Sequence, residues 1–154
     1  MKVFNYLIKK TTKKFIEFID ITDEVEKLIK KSKTKNGFVI VFSKHTTAAI
    51  RVNEKEKGIY KDFARLAHQL LPKKQYYHHN DLKIRTENLV CDIGASDCLN
   101  GHSHCLHLLM GGSSEYIPII DGKLAFGTYQ RIFLIELDCP RRREIMVQIY
   151  ANID

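Results

Sequence analysis

The chain reads as an α+β protein, with antiparallel strands at both ends and two or three helices between them. Three observations carry this. Apolar residues alternate singly near the N-terminus, as in Phe4, Tyr6 and Ile8. They recur at helical spacing in two central stretches, one of them Ile59, Phe63, Leu66, Ala67 and Leu70. From Glu115 onward the pattern is again that of strands, broken by Asp121-Gly122 and Cys139-Pro140. At 154 residues the chain is expected to form one domain, residues 1–154.

Residues 3–8 and 14–20 are expected to be strands, with Lys9–Lys13 as the turn between them. Thr22 is a candidate helix N-cap, followed by Asp23 and Glu24 where acidic groups favour the helix dipole. Ile21, Val25, Leu28 and Ile29 share one face of that helix, and Asn36-Gly37 stops it or its tail. Phe38–Phe42 is a continuous β-favouring run, expected to be buried on both faces. Residues 48–52 resume as a strand, and a helix is predicted over 54–71, with Pro72 just past its end.

Residues 72–101 show little period and read as a long loop of the kind that often serves function. A short helix is predicted over 102–110, and Gly111-Gly112-Ser113-Ser114 breaks it. Tyr116–Ile120 and Leu124–Phe126 flank Asp121-Gly122, a strong hairpin signal. Strands over 131–138 and 144–151 close the sheet.

The net charge is +7, with its densest runs at Lys30-Lys31-Ser32-Lys33 and Arg141-Arg142-Arg143. The first suits a helix C-terminus and the second a tight turn. No recognised nucleic-acid module accompanies the charge, so phosphorylated small molecules are the expected partners rather than nucleic acid. No apolar run approaches a membrane span, and no secretory core precedes the first strand, so a cytoplasmic, membrane-free protein is expected. Cys91, Cys98, Cys105 and Cys139 lack a CxxC pair and read as reduced, partly buried thiols.

Chemistry points to three histidine-bearing segments at the ends of regular elements. His45 follows the apolar run and precedes Thr46, Thr47, Ala48 and Ala49. The hydroxyls suit phosphate binding or fixing an imidazole tautomer, although a histidine capping a strand end explains the segment equally well. His78 and His79 are adjacent, so at most one should face a pocket. His104 is preferred over His102 and His107, which read as solvated, because Asn100 lies one turn earlier. Gly127-Thr128-Tyr129-Gln130 suggests close approach of a ligand or backbone. Glu54 is a candidate general base, or simply a first-turn acid.

Taken in order, His45–Ala49, Asn53-Glu54, His79-Asn80-Asp81, Ile84–Asn88, Asn100–Cys105, Gly111 with Ser113, Ile117-Pro118, Asp121–Leu124, Gly127–Phe133 and Pro140-Arg141 resemble the YjbQ-like family (UPF0047), sometimes labelled secondary thiamine-phosphate synthase. The resemblance spans nearly the whole chain. It implies a compact α+β fold built largely on an antiparallel β-sandwich, and a homotrimer. It also implies that His45, His79 and His104 converge as a metal or anion site. Asn53, Glu54, Asn100, Ser113, Thr128 and Gln130 would line the same pocket, with Thr46, Thr47 and Arg141 as further substrate-binding residues. Many relatives carry Trp in place of Tyr129, and a basic residue in place of Leu106.

The activity implied is a thiamine-phosphate-synthase-type transfer, with His45, His104 and Glu54 as catalytic groups. Its leaving diphosphate needs a divalent metal or Arg and Lys clamps. The imidazole ligands favour zinc over magnesium. Two other readings use the same residues. One is a zinc-dependent hydrolase of a phosphorylated or acyl substrate, with Glu54 acting on bound water. The other is a non-catalytic trimer that binds a metal or metabolite.

Overall fold

The computed structural model of the protein describes residues 1–89 and 99–152. Its elements run β1 (Lys2–Thr11), β2 (Glu17–Asp20), α1 (Thr22–Ser32), β3 (Gly37–Ser43), β4 (Ala48–Glu54), α2 (Lys57–Leu70), a short 3-10 turn (His78–Asn80), α3 (Gly101–Met110), β5 (Ser114–Ile120), β6 (Lys123–Leu124), β7 (Gln130–Glu136) and β8 (Arg142–Ala151). These strands form a five-stranded antiparallel sheet, β1-β8-β3-β5-β6, and a three-stranded one, β2-β7-β4. The α+β class and the sandwich are as expected.

The inner face of the large sheet carries Ile8, Val39, Val41, Ile117, Ile119, Ile145, Val147 and Ile149. It meets Ala48, Ile50, Ile132 and Leu134 of the small sheet, and Val25 and Ile29 of α1 join the same core. Alternate residues of the small sheet, Ala49, Phe133 and Ile135, face away and pack with Ala67 of α2 and Leu106 of α3. The order of layers is therefore large sheet, small sheet, helices.

This layering corrects one expectation. β3 is buried on one face only: Val39 and Val41 are inaccessible, whereas Phe42 is 38% exposed. The strand covered on both faces is β7, because α2 and α3 lie over the small sheet rather than the large one. The outer face of the large sheet presents Val3, Leu7, Phe38, Phe42, Tyr116, Met146 and Tyr150, with Phe38 and Tyr150 stacked at 4.6 Å.

Local signals account for most element ends. Asp121 and Gly122, at φ +51° and +77°, make the two-residue turn between β5 and β6. Glu56 caps α2 by accepting from the amides of Gly58 and Ile59. Gly111 ends α3 at φ +62°. Thr22 is not an N-cap: its amide is held by Asp20 Oδ1, and its own hydroxyl accepts from Ile132 N at 2.8 Å, tying α1 to β7. Helix α1 ends at Ser32, before Asn36-Gly37, with Lys33 in the left-handed region. Gly37 instead opens β3 where a Cβ would lie 1.9 Å from the Tyr150 carbonyl oxygen. β1 and β2 do not form a hairpin; the chain turns a corner between them and changes sheet.

Candidate functional site

A cavity of about 540 Å³ opens at the end of the sandwich where β3 gives way to β4. His45, Thr46 and Thr47 reach it from the β3–β4 connection, His79, Arg85 and Asn88 from the loop after α2, Asn100 and His104 from the start of α3, and Arg141 and Arg143 from the β7–β8 corner. The three histidine segments do converge. His79 and His104 are closest, with ring centroids 4.5 Å apart. Helix α3 places His104 by ordinary helical bonding, its amide donating to Asn100 O at 3.2 Å. His78 is exposed, beside Tyr76, and lines only an adjoining cavity of about 470 Å³ that shares His79, Arg85 and Asn88 with the first.

Hydrogen bonds fix the tautomers of two rings. The Asn100 amide donates to Asp138 Oδ2 at 2.8 Å, so its Oδ1 is the acceptor that faces His79 Nε2 at 3.2 Å. His79 therefore donates through Nε2–H. His45 is the reverse: its Nε2 accepts from the Glu144 amide at 2.8 Å, which leaves the proton on Nδ1. Burial pushes the imidazolium pKa of His45 down, and the nearby Arg143 adds to it. His104 is likewise lowered, by burial first and then by the neighbouring His79. Both rings are neutral near pH 7.

Four cations stand round the cavity. Arg143 is 3% exposed, with Nε donating to Glu136 Oε2 at 2.7 Å and Nη2 to Thr47 Oγ1 at 3.0 Å. Arg141 pairs with Asp138 at 2.9 Å, and Lys44 with Glu144 at 2.9 Å. Burial raises the carboxyl pKa of Asp138, but the bonds from Asn100 and Arg141 outweigh it and hold the group below the usual range. Arg85 is different. Its guanidinium donates to the carbonyls of His79, Glu87 and Asn88 and meets no carboxylate among the described residues. With three carboxylates set against four cations, the wall is net positive.

Zinc does not fit the donor set as it stands. The Nε2 lone pair of His45 is taken by an amide and its other nitrogen bears the proton, so this ring offers no ligand. Among the described residues no three His, Cys, Asp or Glu side chains are grouped to hold a metal ion. What the pocket does offer is N–H donors and positive charge, which suit an anion.

Several expected residues lie elsewhere in the chain. Asn53 and Glu54 are exposed at the far end of β4, paired in register with Arg131 and Gln130. At about 3.3 Å per residue, that end is roughly 20 Å from Thr47. Thr128 is exposed, and Gln130 accepts from the Gly127 amide outside any strand interior. Ser113 lies beside the site without lining it, bonded to His107 Nε2 at 3.3 Å. His102 is not solvated: Phe15 and Tyr77 pack against it, and it is 3% exposed. His107 is half-buried. Sequence reasoning missed Lys44, Arg85, Asn88 and Arg143. Period-two alternation along β8 was the available signal for Arg143, which shares the inward face with Ile145, Val147 and Ile149. Cys105 and Cys139 are free thiols, the first half-buried and the second exposed, while Cys91 and Cys98 lie outside the described residues.

An antiparallel sandwich with helices on its smaller sheet, carrying a cationic histidine pocket at one end, defines the class of protein. The chain belongs to the YjbQ-like UPF0047 family, whose model matches residues 7–152. A UPF0047 protein of Archaeoglobus fulgidus is 35% identical over 137 residues, 89% of this chain and 94% of that one. A UPF0047 protein of Methanocaldococcus jannaschii is 36% identical over 151 residues, 97% of this chain and 95% of that one. The crystal structure of a YbjQ-like protein of unknown function from Sulfolobus solfataricus superposes with a TM-score of 0.83 at 35% identity, covering 98% of this chain and 99% of that one. An uncharacterised conserved protein of the family from Clostridium acetobutylicum superposes with a TM-score of 0.79 at 33% identity, covering 94% and 99%. No helix among the described residues is long and apolar enough to cross a membrane.

Proposed function

We propose that the histidine pocket binds a phosphorylated small molecule and that the protein is a transferase of the thiamine-phosphate-synthase type. The observation that carries this reading is the convergence of Lys44, Arg85, Arg141 and Arg143 with His45, His79 and His104 on one cavity. In such a transfer a thiazole ring nitrogen forms a bond to the methylene carbon of a hydroxymethylpyrimidine diphosphate. The carbon–oxygen bond breaks, and diphosphate leaves with the electron pair. No proton need be removed from the nucleophile, so the distance of Glu54 from the pocket is no obstacle. What the step needs is stabilisation of charge on the leaving group. Arg85, Lys44 and the Nδ1–H of His45 supply it.

The experiment is an assay of product formation with the two phosphorylated substrates, comparing wild type with His104→Ala and Arg85→Gln. Loss of turnover in the variants supports the transferase. Wild-type protein that binds inorganic phosphate but forms no product overturns it in favour of a non-catalytic binder, and turnover of ester substrates only with added zinc favours the hydrolase.

The reading includes a homotrimer. The aromatic and aliphatic outer face of the large sheet supports self-association, because Val3, Leu7, Phe42, Tyr116 and Met146 leave an apolar surface exposed there. Light scattering is expected to give three chains per particle, and Phe38→Lys to give one. A monomeric wild type would remove the trimer from the proposal.

A further inference from the structure

Asp138 does not line the histidine cavity, yet it bonds to two residues that do. It lies two residues past the end of β7, buried, with its own amide held by Glu136 Oε1 at 2.9 Å. Its Oδ2 accepts from Asn100 Nδ2 at 2.8 Å, and from Arg141 Nε at 3.0 Å and Nη2 at 2.9 Å. One oxygen thus ties the start of α3 to the β7–β8 corner.

Asn100 shows what the tie does. It occupies the N-cap position of α3, where an asparagine side chain ordinarily accepts from the first helical amides, but it makes no such bond. Asn80, the neighbour of His79, takes over part of that role, its Oδ1 accepting from the Gly101 amide at 2.8 Å. The side chain of Asn100 is turned instead between Asp138 and His79. A local preference broken at a helix end, with a compensating bond from the adjoining loop, is the pattern of a functional position.

A carboxylate only accepts, so the NH2 of Asn100 faces Asp138 and its oxygen faces His79. Without a carboxylate behind it, the amide can turn over and present N–H to the ring instead. We infer, on the reading of this pocket as the functional site, that Asp138 is its positioning residue. Through Asn100 it selects the His79 nitrogen that bears the proton, and from the same oxygen it orients Arg141.

Nitrogen-15 NMR of the full chain at pH about 8.5, roughly two units above the ordinary imidazole pKa, tests this. In wild type, His79 is expected to carry its proton on Nε2. His45, whose Nε2 accepts from the Glu144 amide, should carry it on Nδ1 and serves as an internal contrast. Asp138→Asn keeps an acceptor oxygen for Asn100, so both patterns should persist. Asp138→Ala removes it, so His79 alone should move toward Nδ1 protonation. Calorimetry with inorganic phosphate should follow the same order. Asp138→Asn is expected within about threefold of wild type, and Asp138→Ala about tenfold weaker, the effect of one displaced charge-assisted contact. A carboxylate acting by charge alone would do the reverse, since its removal from near an anion tightens binding. Wild-type His79 protonated on Nδ1, an unchanged His79 pattern in Asp138→Ala, or tighter phosphate binding by that variant would each overturn the assignment. The wild-type spectrum decides even where Asp138→Ala does not fold. It is recorded without phosphate, so a pocket that binds no anion is distinguishable from a carboxylate that positions nothing.

Discussion

Arg143 and Glu136 form a bidentate ion pair beneath the histidine pocket, with Nε to Oε2 at 2.7 Å and Nη2 to Oε1 alongside. Glu136 is fully inaccessible, and its Oε2 also accepts from Thr12 at 2.7 Å while Oε1 accepts from the Asp138 amide at 2.9 Å. The pair thus fastens β7, β8 and the residue that follows β1 to one another, and through Thr47 to the β3–β4 connection. Arg143→Met leaves a buried carboxylate unpaired. A loss of about 3–5 kcal/mol of stability is expected in urea unfolding. The double change Arg143→Met with Glu136→Leu should recover much of it, since no charge is then stranded.

The Arg85 guanidinium is oriented by three carbonyls, and in the proposed function it meets the anion. Arg85→Gln is expected to weaken inorganic phosphate binding about ten- to hundredfold, the range for a lost charge-assisted hydrogen bond. Arg85→Lys should fall between, because lysine keeps the charge and loses the planar fork. Calorimetry with phosphate checks both, and equal affinity in all three proteins would take Arg85 out of the site.

The proposed function makes His45 a donor to the anion rather than a metal ligand, because its Nε2 already accepts from the Glu144 amide. Purified wild type and His45→Ala are therefore expected to carry equal zinc by elemental analysis. A stoichiometric metal in wild type that disappears in His45→Ala would contradict the tautomer assigned from the Glu144 amide.

Asp20 gives the fold its own acid sensitivity. Burial raises its pKa, but hydrogen bonds from Thr22, Arg131 and Lys55 outweigh this and hold it at about 2, against 3.8 in the unfolded chain. A depressed carboxyl pKa stabilises the fold above the unfolded value, and the contribution is lost as pH falls through the folded one. Between pH 3.8 and about 2 wild type should lose on the order of 2 kcal/mol from this group. Asp20→Asn should be less stable near neutrality and flatter over that acid range, as followed by thermal melting against pH.

Much of the fold was legible because hydrophobic period and turn chemistry act locally. Asp121-Gly122 announces its hairpin, and the spacing of Ile59, Phe63 and Ala67 announces α2. Which face of a strand is covered is decided by distant elements, so the run Phe38–Phe42 suggests a strand buried on both faces when that strand is β7. The pocket was half legible. His45, His79 and His104 stand out by residue type at element ends. Arg85 and Arg143 were hidden, since a guanidinium aimed inward has the same letter as one in solvent. Only alternation along β8 separated Arg143 from its exposed neighbour Arg142. Asn53, Glu54, Thr128 and Gln130 stood out at an element boundary and beside a strand glycine, and resemblance put them in the pocket, but within one chain they stand at the opposite end of β4 and β7.

Strand β7 is sheathed above and below, and its last residue, Glu136, forms with Asp138 just beyond it the bed on which the pocket rests. Amides in such a strand exchange with solvent only when the whole molecule opens. The bed of the pocket is therefore as slow to breathe as the protein itself.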